Sequence, residues 1–122
     1  MRIGVDIEKI ARFKALLLKE SFKKGVFTEK ELSYIGESAA RAAGLWCAKE
    51  ACAKALGDGL YGLLPKDIEI THDEKGAPHI SLHGGALKKY PDVSFSLSIT
   101  HDEDTAFAAV CDQGEALDTI SP

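Results

Sequence analysis

The 122-residue sequence predicts an α+β fold, a mainly antiparallel sheet packed on one long helix, and three observations carry that expectation. Stretches at 2–7, 67–71, 78–82, 94–100 and 105–111 alternate apolar and polar residues, or run apolar between turn signals, as strands do. The stretch 38–56 has the alanine, leucine and lysine content of a helix, contains no proline, and is stopped by Gly57-Asp58-Gly59, because glycine accepts the left-handed geometry of a helix end. Asp73-Glu74-Lys75-Gly76 sits between two of the strands as a hairpin turn.

Residues 2–7 (RIGVDI) set Ile3, Val5 and Ile7 against Arg2, Gly4 and Asp6, which places Asp6 on the opposite side from an aliphatic face. A helix to about Lys24 follows, with Ile10, Phe13 and Leu17 on one stripe. At about 100° per residue, Lys9, Arg12, Lys19 and Lys23 group on another side, shared with Glu8 and Leu16. Thr28-Glu29-Lys30-Glu31 fits a capping box at the start of a brief helix. After the long helix comes the hairpin of Asp67–Thr71 and Pro78–Leu82, then a short helical turn from Gly84 to Tyr90 closed by Pro91. Ser94–Thr100 (SFSLSIT) directs Phe95, Leu97 and Ile99 inward, and Thr105–Cys111 returns after the polar loop His101–Asp104. The expected organisation is one domain, 1–113, with a patternless C-terminal tail at 114–122.

A hydrophobic fraction of 45% with 28% charged residues is that of an ordinary globular protein, and no apolar run reaches membrane-spanning length. MRIGVDIEKI has no signal-peptide core, so the cytoplasm is the expected location. Cys47, Cys52 and Cys111 form an odd set without zinc-knuckle spacing and read as reduced thiols. A net charge of −4 argues against a general nucleic-acid binder. Residues 8–24 nevertheless carry six basic and two acidic side chains, a local +4, which can steer an acidic partner to one face.

Chemistry concentrates in Leu45–Leu56 (LWCAKEACAKAL). Glu50 and Lys54 are i, i+4 neighbours, and such a pair on an exposed helix is commonly no more than a weak ion pair of about 0.2–0.5 kcal/mol. Here Leu45, Ala48, Cys52, Ala55 and Leu56 claim one face for the core while Trp46 stands close to the charged one, an arrangement that suits a cleft. Lys49, about 100° from Glu50, reads as solvated on position alone. Asp6 is costly in a short strand of β-branched residues and could cap the next helix, or pair with Glu50. Two carboxylates completed by phosphate oxygens and waters make an oxygen-rich site that suits Mg²⁺, with Glu8 a third ligand or an exposed first-turn residue. His101 follows a strand at a loop mouth, where a turn role and a binding role are both open. His72, His79 and His83 are taken as ordinary turn or surface residues, and the Ser94/Ser96/Ser98 row as the polar face of a strand. There is no nucleophile elbow, Walker loop or dinucleotide fingerprint.

Four separated pieces resemble one family, the holo-acyl-carrier-protein synthases or 4′-phosphopantetheinyl transferases. They are Gly4–Phe13 (GVDIEKIARF), Phe27–Leu32 (FTEKEL), Trp46–Gly57 (WCAKEACAKALG), and Leu97–His101 (LSITH) followed by Ala106 and Ala108. Asp67–Ile70 and Gly76–Pro78 fit between them, so order and spacing match to about Asp112. The G-x-D-I start joined to W-x-x-K-E-A-x-x-K is the specific part of the match. The resemblance implies transfer of the phosphopantetheine arm of coenzyme A to a serine of an apo acyl carrier protein, with release of adenosine 3′,5′-bisphosphate. It also implies Mg²⁺ on Asp6 and Glu50, Lys54 on the pyrophosphate, Lys49 and His101 in the coenzyme A pocket, and Arg12 facing the acidic carrier. Asp6, Glu50 and Lys54 would then be the catalytic set. Charge must be neutralised on the leaving side and the alcohol aligned opposite it, which a divalent ion and a lysine can serve. The serine needs a base, either Glu50 or a metal-bound water that it orients; metal binding makes a carboxylate a poorer base, which favours the water.

The family has a short form that assembles as a homotrimer with sites at subunit junctions, and a doubled form about twice as long. This chain matches the short form in length and in Ser98-Ile99-Thr100-His101. Where short-form members commonly have Arg-Phe, it has Leu45-Trp46, and Trp46 with Glu8 looks more like the doubled branch. Leu45 therefore removes one expected phosphate or adenine contact. A binding module without chemistry, or a purely structural oligomerisation domain, are the competing classes; intact Asp6, Glu50 and Lys54 weigh against the first and the basic segment against the second.

Overall fold

The computed structural model describes residues 1–60 and 62–113, so the expected tail lies outside the described residues. In chain order the elements are β1 (Arg2–Lys9), α1 (Ile10–Leu16), α2 (Glu20–Val26), α3 (Glu29–Ile35) and α4 (Ala39–Leu56), then a 3₁₀ turn at Pro65–Asp67. After it come β2 (Ile68–His72), β3 (Pro78–Leu82), α5 (Gly84–Lys89), β4 (Phe95–His101) and β5 (Thr105–Asp112). β1, β5 and β4 form an antiparallel sheet in that order, and β2–β3 a separate antiparallel hairpin.

α4 is the axis of the molecule. The Ser38 hydroxyl caps its start by accepting from the Arg41 amide, and Gly57, at φ +84°, closes its end in the left-handed region. Twelve of its eighteen residues are buried, which requires cover on several sides rather than one amphipathic stripe. The three-stranded sheet supplies one side. Ala106, Ala108 and Val110 of β5 are buried against it, and the register sets Glu8, Asp6 and Gly4 of β1 beside them. Opposed residues of an antiparallel pair share a face, so Gly4, Asp6 and Glu8 face the helix together with Leu97, Ile99 and His101 of β4.

The aliphatic side of β1 therefore points outward. Ile3, Val5 and Ile7 are 70%, 47% and 65% exposed, and Phe107, opposite Ile7, is 38% exposed. What decides the orientation is Gly4: a Cβ there would stand 1.9 Å from the Ala51 carbonyl oxygen, so only a glycine lets β1 lie this close to α4.

The expected single helix to Lys24 is two helices. After Leu16 the amides of Leu18 and Lys19 bond to the carbonyls of Ala15 and Leu16, tightening the turn, and Lys19 is extended. The break lets Phe13 and Phe22 both reach Trp46, with Phe27 packed edge-on against Phe22. It also splits the expected basic stripe, since Lys9 ends β1 and Lys19 lies in the bend. The capping box at Thr28 and Glu31 forms as expected. Among the described residues no helix is long and apolar enough to cross a membrane.

Candidate active site

Asp6, Glu50 and Lys54 converge where β1 crosses α4. Lys54 Nζ lies 3.2 Å from Asp6 Oδ1 and donates to the Val5 carbonyl at 3.0 Å. Two of its three N–H groups are thus used, and the half-exposed ammonium keeps a third for a ligand. Asp6 Oδ2 is buried and has no hydrogen-bond partner among the described residues. An orphaned buried carboxylate oxygen is costly, and such atoms call for a missing ion or ligand. Burial pushes the Glu50 pKa up, and the charge of Asp6 adds to it, with Lys54 and Arg12 opposing.

Glu8 enters from the same face of β1. Its carboxylate receives Arg12 at 2.6 Å and the Trp46 indole N–H at 3.1 Å. Burial raises its pKa, as do a hydrogen bond with Asp6 and the charge of Asp6. Glu8 and Trp46 are therefore bonded to each other. Cys47, fully buried below the carboxylates, is pushed up to about 12 by burial first and by Asp6, Glu8 and Glu50 next, which keeps it a neutral thiol. Asp6, with one oxygen left unpaired, and Glu50, whose charge it opposes, offer oxygen donors of the kind a hard divalent cation takes. Among the described residues no group of three or more His, Cys, Asp or Glu side chains is placed to hold a metal ion.

Lys49 is a correction. It neither lies in solvent nor reaches a ligand pocket: its side chain is wholly buried on the far side of α4 from this site. Its Nζ meets Glu31 Oε1 at 2.8 Å, the Pro65 carbonyl at 2.8 Å and the Ile68 carbonyl at 2.6 Å, which uses all three donors. Burial pulls its pKa down and Glu31 pushes back. Glu31, equally buried, also accepts from the amides of Thr28 and Ile70. This is a core cross-link between α3, α4 and the hairpin.

His101 is exposed at the end of β4, its Nδ1 3.1 Å from the Asp102 carbonyl oxygen, and it does not join the carboxylates. It borders a cavity of about 200 Å³ with Tyr34, Arg41, Leu45, His72 and Ile99. At about 100° per residue, nine residues put Glu50 about 180° round α4 from Arg41, so cavity and carboxylates occupy opposite flanks of one helix. Sequence reasoning missed Tyr34, Arg41 and His72. The available signal was the placing of Arg41 one turn before Leu45, on the same side of the helix. Arg12 is half exposed, paired to Glu8 and lying over the Phe13 ring, at the rim of the carboxylate site.

Comparison with known proteins bears on this geometry. The profile of the 4′-phosphopantetheinyl transferase superfamily matches residues 2–111. A Clostridium tetani holo-[acyl-carrier-protein] synthase is 43% identical, over 94% of this chain and 97% of that protein. The structure of a Helicobacter pylori holo-[acyl-carrier-protein] synthase in complex with coenzyme A superposes with a TM-score of 0.84 at 33% identity, covering 91% of this chain and 99% of that one. A Bacillus anthracis holo-(acyl-carrier-protein) synthase in complex with CoA (3′,5′-ADP) gives a TM-score of 0.79 at 28% identity, over 93% and 96% of the two chains.

Proposed function

The chain belongs to the 4′-phosphopantetheinyl transferase superfamily, and from that premise we propose that it transfers the phosphopantetheine arm of coenzyme A to a serine of an apo acyl carrier protein. The products are holo carrier protein and adenosine 3′,5′-bisphosphate. The reading places the enzyme in the cytoplasm, in the supply of carriers for fatty-acid synthesis. The observation that carries it is the unpartnered buried Oδ2 of Asp6 beside Glu50 and Lys54.

Asp6 and Glu50 would hold Mg²⁺, which when bound would neutralise pyrophosphate charge as the phosphoanhydride bond breaks. Lys54, with one N–H to spare, meets the pyrophosphate and offsets charge on the leaving bisphosphate. Glu50 orients the water that takes the serine proton. Glu8 is already engaged by Arg12 and Trp46, so its part is to hold those two side chains at the rim, where Arg12 faces the acidic carrier. α1 and α2 carry further basic residues, Lys14, Lys23 and Lys24, whose charge favours the approach of an acidic surface.

A homotrimer with sites shared between subunits is part of the proposal, and two features support it. The cavity at His101 and the carboxylates lie on opposite flanks of α4, so one coenzyme A spanning both half-sites must draw them from two chains. The outward face of the sheet carries Ile3, Val5, Ile7 and Phe107, an apolar patch that a second copy would cover. The test is to incubate the protein with coenzyme A, Mg²⁺ and an apo carrier, then weigh the carrier. One phosphopantetheine arm should be added, and Glu50→Ala should reduce the rate at least about a hundredfold, given several kcal/mol from the metal. Full activity in that variant, or no added mass across several carriers, would refute the assignment.

A further inference from the structure

Glu8 sits between the carboxylate site and the helices that follow β1, and both of its oxygens are taken. One accepts from Arg12 Nη1 at 2.6 Å and the other from the Trp46 indole N–H at 3.1 Å. Among the described residues it does not complete a three-residue metal group with Asp6 and Glu50. The two donors it grips come from different elements. Arg12 belongs to α1, a seven-residue helix with no side-chain cap and no acidic residue in its first turn, too short to fix its own direction. Trp46 belongs to α4, and its ring centroid lies 6.4 Å from that of Phe13 and 6.1 Å from that of Phe22, so the indole also meets α1 and α2. The half-exposed Arg12 guanidinium lies 5.4 Å from the Phe13 ring centroid. Glu8 engages it through one nitrogen, which leaves the rest of the guanidinium fork for a second carboxylate. Around this pair, Lys9, Ile7 and Thr105 complete an open hollow of about 390 Å³ in which two cations stand against one anion.

We propose that Glu8 is a positioning residue for carrier docking and not a metal ligand: by gripping Arg12 and Trp46 together it holds α1 against α4 with the guanidinium already set for an acidic side chain of the carrier. The proposal rests on the reading of Arg12 as a carrier contact. An exposed arginine that rotates freely loses that freedom when a partner binds, whereas one pinned by a carboxylate on one side and a ring on another has lost it beforehand. The gain belongs to carrier binding, since Arg12 is the group that is set. Lys9 and Arg12 keep the hollow net positive, so the carboxylate that pins the arginine does not turn the surface against an acidic partner.

The experiment measures kcat, KM for apo carrier and KM for coenzyme A in the wild type, Glu8→Gln, Arg12→Gln and the double variant. Glu8→Gln keeps an oxygen acceptor for the Trp46 indole and removes the charge that pins Arg12. It should raise KM for the carrier about 3- to 10-fold, the cost of ordering one long side chain on binding, with KM for coenzyme A within about twofold of the wild type. Arg12→Gln should raise KM for the carrier further, and in that background Glu8→Gln should add almost nothing, because it acts through the arginine. A second readout needs no turnover: Mn²⁺ is titrated in the presence of coenzyme A without carrier, and free Mn²⁺ is followed by electron paramagnetic resonance. Glu8→Gln should keep Mn²⁺ affinity within about threefold of the wild type, whereas loss of a metal ligand would weaken it about tenfold or more. That weakening, additive effects of the two substitutions, or an unchanged or lowered KM for the carrier in Glu8→Gln would each overturn the proposal. An unchanged KM for the carrier in Arg12→Gln would bring down the docking reading and this proposal with it. Absence of transfer in the wild type would instead defeat the transferase reading, so the failures are distinguishable.

Discussion

Lys49 and Glu50 are consecutive, and the helix sends them to different tasks. Glu50 joins Asp6 in the candidate active site, while Lys49 ends in the core against Glu31 and two carbonyls. Lys49→Met should therefore destabilise the fold by about 3–5 kcal/mol, because it strands the buried Glu31 carboxylate. Denaturant unfolding measures this, and adding Glu31→Gln to the same chain should restore part of the loss by removing the unpaired charge. If Lys49 touched coenzyme A, KM would rise with stability intact. The signal for its burial was present in the sequence. At about 100° per residue Lys49 lies within about 60° of Leu45, Cys52 and Leu56, inside the arc already given to the core. Its charge drew the reading outward, and nothing in one sequence announces that Glu31, eighteen positions earlier, arrives to pair it. The meeting of Asp6, Glu50 and Lys54 was expected from the resemblance, since each odd charge among small apolar residues is a weak signal by itself. Tyr34, Arg41 and His72 were not, since their stack exists only once α3, α4 and β2 are brought together.

At the scale of elements, the strands, the hairpin, the capping box and the long helix were all readable from periodicity and turn residues, and the structure forms them close to the expected bounds. Two features were not. The helix after β1 breaks at Leu17–Lys19 because Phe13 and Phe22 both seek Trp46, a tertiary demand that no local pattern contains. β1 also turns its aliphatic side out, since approach of α4 is set by the absence of a side chain at Gly4. Gly4→Ala tests the second point. Its Cβ would meet the Ala51 carbonyl oxygen at 1.9 Å and the Ala55 amide at 2.7 Å, both backbone atoms that cannot swing aside. Helix and strand must separate, at a cost of about 1–3 kcal/mol or more, and Asp6 moves away from Glu50 with them. A lower melting temperature together with a large loss of transfer is expected. Gly25→Ala in the last turn of α2 is the control: nothing lies within 4 Å of the added Cβ, so stability should not fall.

On the proposed function the whole molecule presents two half-sites, one on each flank of α4. The carboxylates sit on the β1 flank of α4 and the basic cavity on the β4 flank, with the helix and β5 between them. The proposed closed assembly of identical chains would join them by setting one flank against the opposite flank of a neighbour. The exposed Ile3, Val5, Ile7 and Phe107 provide apolar surface to hold such an assembly, and their cost in a lone chain is otherwise hard to account for. Sharing has a consequence that a self-contained site would lack. A Glu50→Ala chain keeps its cavity, and an Arg41→Gln/His101→Ala chain keeps its carboxylates. Each is expected to be nearly inactive alone. Co-expressed in equal amounts and mixed at random, about one junction in four would combine an intact carboxylate flank with an intact cavity, so about a quarter of wild-type transfer should return. Val5→Asp in both chains should prevent that return by charging the apolar face, and sedimentation should then show smaller species. If the mixture stays as inactive as its parts while still co-assembling, each chain carries a complete site, and coenzyme A must be bound entirely on one flank of α4.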